Sequence, residues 1–209
     1  MPGVPGLVFS GAGPRFVAYI IDAIIITILN IIVGIIVGLI VVAVSPRGGS
    51  AAIIGLVIGI VVDATYFILF WTTEARATLG MRILNLQVGN AFDGRRLDMG
   101  QAFRRWVALG SWISAAGITT SLAGVTGLIG LLWALVLLVT TTTSPTKQGL
   151  HDRFANTAIV RPDGSSNSLV VGCMVIVVAI LAIILLSFVA LILLGSQVST
   201  ILSQVGTSV

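Results

Sequence analysis

The stretch Phe16–Val44 is an almost unbroken apolar run with an arginine, Arg15, at its mouth and one carboxylate, Asp22, a short way inside. A helix needs roughly 20 apolar residues to cross a hydrocarbon core. This run exceeds that, so it is predicted to span a bilayer. A charged group at such depth costs about 2.5–3.5 kcal/mol on insertion scales, so Asp22 is expected to have either a partner or a task. Seven residues at about 100° each bring Arg15 and Asp22 onto nearly the same helix face, but roughly 10 Å apart along the axis. Direct contact over that distance needs long side chains or water. The expectation is therefore that a cation from elsewhere in the bundle, such as an arginine of segment 73–105 or 144–161, neutralises the acid.

Composition places the rest of the chain in the same setting. Of its 209 residues 57% are hydrophobic and only 9% charged, where soluble domains carry about 25% charged residues. The net charge of +4 is carried beside apolar spans. That distribution fits the positive-inside bias and contact with anionic lipid headgroups, and it argues against nucleic acid as a partner. The single cysteine, Cys173, excludes an internal disulfide. The first apolar run is too long for a cleaved signal and is expected to stay as an anchor.

The predicted fold class is all-α, a polytopic transmembrane helical bundle with about five membrane segments and a basic cytoplasmic loop. The spans are expected at about 16–44, 51–72, 106–118, 124–143 and 169–194, with a turn at Ser45–Ser50 and an irregular lead over 1–14. Residues 1–161 form the main membrane domain, 162–168 a linker and 195–209 an uncharged tail. One helix over 106–143 would be roughly 57 Å long, about twice a bilayer core. Gly117, Gly124, Gly127 and Gly130, with Thr119, Thr120 and Ser121, favour a break near 118–124, against the alternative of one tilted span. In segment 73–105, alternation over Arg82–Val88 and the turn signal Asp93-Gly94 suit a hairpin, while an interfacial helix over 75–88 fits equally. Five crossings put the N-terminus in the cytoplasm and the C-terminus outside, and every cation except Arg47 agrees.

Small residues recur at Gly34 and Gly38 and again at Gly55 and Gly59. This is the spacing that lets helix backbones approach closely, although a chain with 24 glycines produces it often by chance. Asp63 lies in the second span at a depth near that of Asp22. Together with Asn30, two turns beyond Asp22, the two acids outline a candidate ion or proton site. Otherwise Asp63 hydrogen-bonds to Thr65, Tyr66 or another helix, and each acid serves the fold separately. His151, the only histidine, has no cysteine or carboxylate cluster at metal-ligand spacing and reads as a hydrated loop residue. No catalytic constellation, metal site or cofactor site stands out, so no enzymatic activity is expected.

Arg15 and Asp22 at the first span, Thr78–Arg82 (TLGMR), Asp93-Gly94, Arg105-Trp106 and Gln148–Arg153 (QGLHDR) occur in that order, followed by an Ala-x-Thr step and a β-branched run. In this the chain resembles the RDD family of small bacterial integral membrane proteins over about residues 14–161. The resemblance implies a signature of Arg15, Asp22 and Asp152. It departs from the family at Met81, where a basic residue is usual, in the glycines and threonines within 106–143, and in the added span at 169–194. It further implies transport of ions or small solutes across the plasma membrane, with cation–proton exchange as the leading reading.

A non-transporting scaffold or accessory subunit is the alternative. It would use the glycine faces and the basic loop residues Arg76, Arg82, Arg104, Arg105 and Arg153. The expected partners are the bilayer, its anionic headgroups, a second copy of the chain and a membrane-complex subunit.

Overall fold

The computed structural model describes residues 6–44, 51–113, 123–164 and 170–180. The residues fall into two compact units, Met1–Gly172 and Cys173–Val209. In the second, residues 173–180 are helical.

The first unit is mostly helical. Helix α1 (Ala12–Val44) opens with Pro14 in its first turn, where the missing N–H leaves no helical bond unmade. At 1.5 Å per residue its 33 residues reach about 50 Å, well beyond a hydrocarbon core. Helix α2 (Ala51–Thr72) follows. The polar segment after it holds the short helix α3 (Leu79–Ile83), strand β2 (Gln87–Asn90) and helix α4 (Met99–Leu109). Helix α5 (Ala123–Thr143), helix α6 (Leu150–Phe154) and strand β3 (Thr157–Pro162) complete the unit, with strand β1 (Leu7–Phe9) preceding α1.

Three helices are long and apolar enough to cross a membrane among the described residues: Ala12–Val41, Ile53–Thr72 and Gly124–Thr143. Their outward faces carry unpaired apolar side chains. Ile31, Ile35 and Leu39 of α1 are 56%, 59% and 69% exposed, which is stable only against acyl chains.

The all-α expectation needs amending. A three-stranded antiparallel sheet in the order β1-β3-β2 joins the two ends of the unit. Phe9 pairs with Val160 on one side of β3, and Val88 with Ile159 on the other. The hairpin at Arg82–Val88 does not form. Asp93-Gly94 does turn the chain, with the Asn90 N–H bonded to the Arg95 carbonyl at 2.9 Å, but β2 finds its partner about 70 residues away in β3. A helix over 75–88 is likewise absent, since α3 spans five residues.

The third span also starts differently. Residue 106 lies in the middle of α4, which begins at Asp98 with a capping box to Gln101 and ends at Gly110 in a left-handed conformation (φ 75°). Only glycine fits there, because a Cβ would come within 2.6 Å of the Trp133 ring. This cap rules out one continuous helix over 106–143. The turn at 45–50, residues 118–122 of the break expected near 118–124, residues 181–194 of the last span and the tail 195–209 lie outside the described residues.

Candidate functional site

The TLG triplet explains how Asp22 is held. Thr78 caps α3 and accepts the Met81 N–H at 3.3 Å. The same hydroxyl donates to Asp22 Oδ2 at 2.6 Å, while the Gly80 N–H (2.8 Å) and the Tyr66 hydroxyl (2.7 Å) donate to Oδ1. A Cβ on Gly80 would overlap the Ala18 carbonyl and crowd Asp22, so glycine is what lets α3 lie directly on α1. Among the described residues the expected cation is therefore missing from the hydrogen-bond shell of Asp22. Three neutral donors take its place, because the polar segment after α2 folds back onto α1 and delivers backbone and hydroxyl groups.

Arg15 turns away from Asp22. Its Nη1 donates to Asp152 Oδ2 at 2.6 Å, and its Nη2 to the Ile159 carbonyl at 3.2 Å. The other oxygen of Asp152 takes Arg105, which also reaches the Thr157 hydroxyl. Arg105 lies 4.9 Å above the Trp71 ring, a cation–π contact. Two guanidiniums thus share one carboxylate that is fully buried. Burial works against the charge on Asp152, but Arg105 and then His151 and Arg15 outweigh it and hold this carboxyl well below the ordinary range.

Asp63 accepts from Trp106 Nε1 and Ser111 Oγ, both at 2.6 Å, as expected of an acid bonded to another helix. The adjacent pair Arg105-Trp106 therefore serves two aspartates in different parts of the unit. Among the described residues Asp22 and Asp63 share no hydrogen-bond partner. Asn30 stands apart from both, against Gly59, where a Cβ would lie 3.5 Å from its Oδ1. Of the packing glycines, Gly59 is buried at this contact and Gly55 is half-buried. Among the described residues nothing lies within 4 Å of a Cβ on Gly34 or Gly38.

The basic loop residues also divide. Arg105 is buried in the ion pairs, and Arg76 is pinned by Nη1 to the Gly94 carbonyl at 2.6 Å. Arg82, Arg104 and Arg153 are exposed. Met81, where the resemblance implies a basic residue, is buried.

His151 is not a hydrated loop residue. It is buried, with Nε2 3.4 Å from Asp152 Oδ1, because Gly149 lets the start of α6 approach the Thr141 hydroxyl. Burial, against the pull of Asp152 and aided by Arg105 and Arg15, lowers its pKa to about 4. The unfolded chain protonates this imidazole near its usual 6.5, the folded chain only near 4. Stability should therefore be highest above about pH 6.5 and fall as the pH drops toward 4. By pH 5 the loss should be roughly 2 kcal/mol. Thermal melts of the detergent-solubilised protein at pH 7 and 5 should show that drop, and His151→Gln should flatten it. An unchanged slope in the variant would remove His151 as its source.

A cavity of about 160 Å³ opens beside these groups. Arg15, Asp22, Trp71, Arg105 and His151 line it together with Phe16, Phe67, Leu109, Trp133 and Leu137. Among the described residues no group of three His, Cys, Asp or Glu side chains is placed to hold a metal.

Long apolar helices around a buried arginine–aspartate network, closed by a small sheet, define a polytopic helical membrane protein. The RDD family model matches residues 9–156, a stretch that holds Arg15, Asp22, Arg105 and Asp152, and the chain belongs to the RDD family. No curated protein and no solved structure matches it.

The residues that sequence reasoning missed are the neutral donors Tyr66, Thr78, Trp106 and Ser111 and the backbone N–H of Gly80. It also missed Arg105 as the second partner of Asp152. The motifs TLGMR and Arg105-Trp106 mark most of these positions, but neither says which aspartate each one serves.

Proposed function

We propose that this RDD protein moves small ions or solutes across the plasma membrane, with cation–proton exchange as its reaction and Asp22 as the exchanging group. One observation carries the reading: a carboxylate in the first span lines a cavity and is held by three neutral donors, with no cation among its partners in the described residues. Such a group can change its proton without breaking an ion pair. When Oδ2 takes up a proton, the Thr78 hydroxyl need only rotate from donor to acceptor. Intramembrane acids mark ion pathways in many transporters. The distribution of basic residues supports a cytoplasmic N-terminus and an outside C-terminus.

Purified protein in liposomes should dissipate an imposed pH gradient in exchange for a monovalent cation. Asp22→Asn, which keeps the shape of the side chain, should cut that flux at least tenfold. Absence of flux from the wild type, or equal flux from the variant, defeats the reading.

A non-transporting scaffold or accessory subunit is the second reading, favoured by the open backbone at Gly34 and Gly38. That face would take a second copy of the chain or a helix of a larger membrane complex. Mass spectrometry after gentle detergent extraction separates the two, since a lone protein with no stoichiometric companion speaks against it.

A further inference from the structure

Asp22 and Asp63 each keep an unused acceptor site. A carboxylate offers about four lone pairs. Oδ1 of Asp22 takes the Tyr66 hydroxyl and the Gly80 N–H, while Oδ2 takes only Thr78, which leaves one lone pair on Oδ2. Asp63 is more open. Trp106 and Ser111 both donate to its Oδ2, and its Oδ1 accepts no hydrogen bond among the described residues. Each acid has room for one more hydrogen.

Tyr19 is the residue placed to connect them. It lies one helical turn before Asp22 on α1, so the two side chains share a face, and both line the cavity. On α4 the lining residues Arg105, Leu109 and Gly110 alternate along the chain with Trp106 and Ser111, the two donors to Asp63. Asp63 is thus held by the same stretch of chain that lines the cavity. The charges of Asp63 and Asp22 both reach the Tyr19 hydroxyl, that of Asp63 the more strongly, and such influence fades with distance.

The chain has two tyrosines, and they differ in what their hydroxyls do. That of Tyr66 is committed, since it donates to Asp22 and accepts the Leu79 N–H at 3.3 Å. Tyr19 is half-buried, and its hydroxyl makes no hydrogen bond among the described residues. A cavity of about 160 Å³ has room for waters that bridge polar groups beyond direct reach.

We infer that the Tyr19 hydroxyl hands protons between Asp63 and Asp22 through the cavity, joining two acids that share no hydrogen-bond partner into one path. The inference rests on the exchange reading above for its purpose, although the path itself is measurable without any transport. In one transfer the tyrosine oxygen takes the proton leaving Asp63, through a water where the gap needs one, while its own O–H proton passes to the free lone pair of Asp22 Oδ2. One O–H bond forms on the tyrosine as the other breaks. The negative charge moves from Asp22 to Asp63, and Tyr19 ends neutral. The reverse transfer retraces the same bonds.

Infrared spectra of the full chain in bilayer discs test the path. The band of the protonated Asp63 carboxyl is identified by its loss in Asp63→Asn, and its shift on transfer from H₂O to D₂O times proton exchange at that acid. Tyr19→Phe loses one unbonded hydroxyl and should melt at the wild-type temperature, while the Asp63 shift slows by about tenfold or more. The Asp22 band, lost in Asp22→Asn, should exchange at the wild-type rate, because Asp22 lines the cavity itself. An unchanged Asp63 rate in Tyr19→Phe overturns the inference. So does an Asp63 band that develops at no pH where the protein stays folded. In the liposome assay Tyr19→Phe should lower the maximal flux by about tenfold and leave the half-saturating cation concentration unchanged. Wild-type flux in Tyr19→Phe beside lost flux in Asp22→Asn overturns the relay and keeps the transport reading. Absence of flux from the wild type defeats that reading instead, and the infrared exchange then decides the relay by itself.

Discussion

Asp152→Ala should be among the most damaging single substitutions in this chain, lowering folded stability by about 3–5 kcal/mol. The wild-type carboxylate is fully buried and accepts from Arg15 and Arg105. Its removal leaves two guanidiniums facing each other with no counter-charge, and neither can shed its proton. The loss reaches beyond one side chain. Arg15 ties the start of α1 to α6 and, through the Ile159 carbonyl, to the central strand, while Arg105 brings in α4. Asp152 thus holds together elements 137 residues apart in sequence.

The exposed pair Arg96–Glu74, at 2.8 Å, provides the contrast, because exposed ion pairs contribute little. Glu74→Ala should leave the melting temperature where it was. Folded yield and thermal melts of both variants in one detergent provide the measurement. A mild effect of Asp152→Ala, similar to that of Glu74→Ala, would show that the buried network does not hold the fold.

Asp22→Ala should cost more than Asp63→Ala, about 3 against about 2 kcal/mol from the unsatisfied donors each leaves behind. Removing Asp22 strands three donors, and one of them, the Gly80 N–H, is fixed by the backbone and cannot swing toward another acceptor. Removing Asp63 strands two, Trp106 Nε1 and Ser111 Oγ, of which the hydroxyl can rotate. The order follows from counting donors rather than from any lost ion pair. Melts of the two variants beside the wild type decide it, and equal or reversed losses would contradict the donor count.

The spans at 51–72 and 124–143 were legible almost to the residue, since an apolar run of that length leaves little choice in a bilayer. Arg15, Asp22 and Asp152 were legible as important but not as partners. Helical spacing places Arg15 and Asp22 on one face, and that local fact suggested a link. The actual partner of Arg15 is set by the return of residues 150–159 onto α1, which no local period reports.

His151 was misjudged for a related reason. Its polar neighbours in QGLHDR suggested water, whereas its burial depends on the lack of a side chain at Gly149 beside Thr141. The sheet left almost no trace in the sequence. Strand β1 has three residues, and the first four of β3 are all buried, so neither shows the alternation that identifies a half-exposed strand. Asp98 with Gln101 was a readable helix start, but the polar residues of 73–105 drew attention to charge rather than to capping.

A double-mutant cycle tests most directly whether Arg15 belongs to Asp152 rather than to Asp22. Stabilities of Arg15→Gln, Asp152→Asn, Asp22→Asn and the two double variants containing Arg15→Gln would be measured by thermal unfolding in the same detergent. The network described here predicts a coupling of at least about 1.5 kcal/mol between Arg15 and Asp152, and additivity within about 0.5 kcal/mol between Arg15 and Asp22. Strong coupling to Asp22 with additivity toward Asp152 would contradict it.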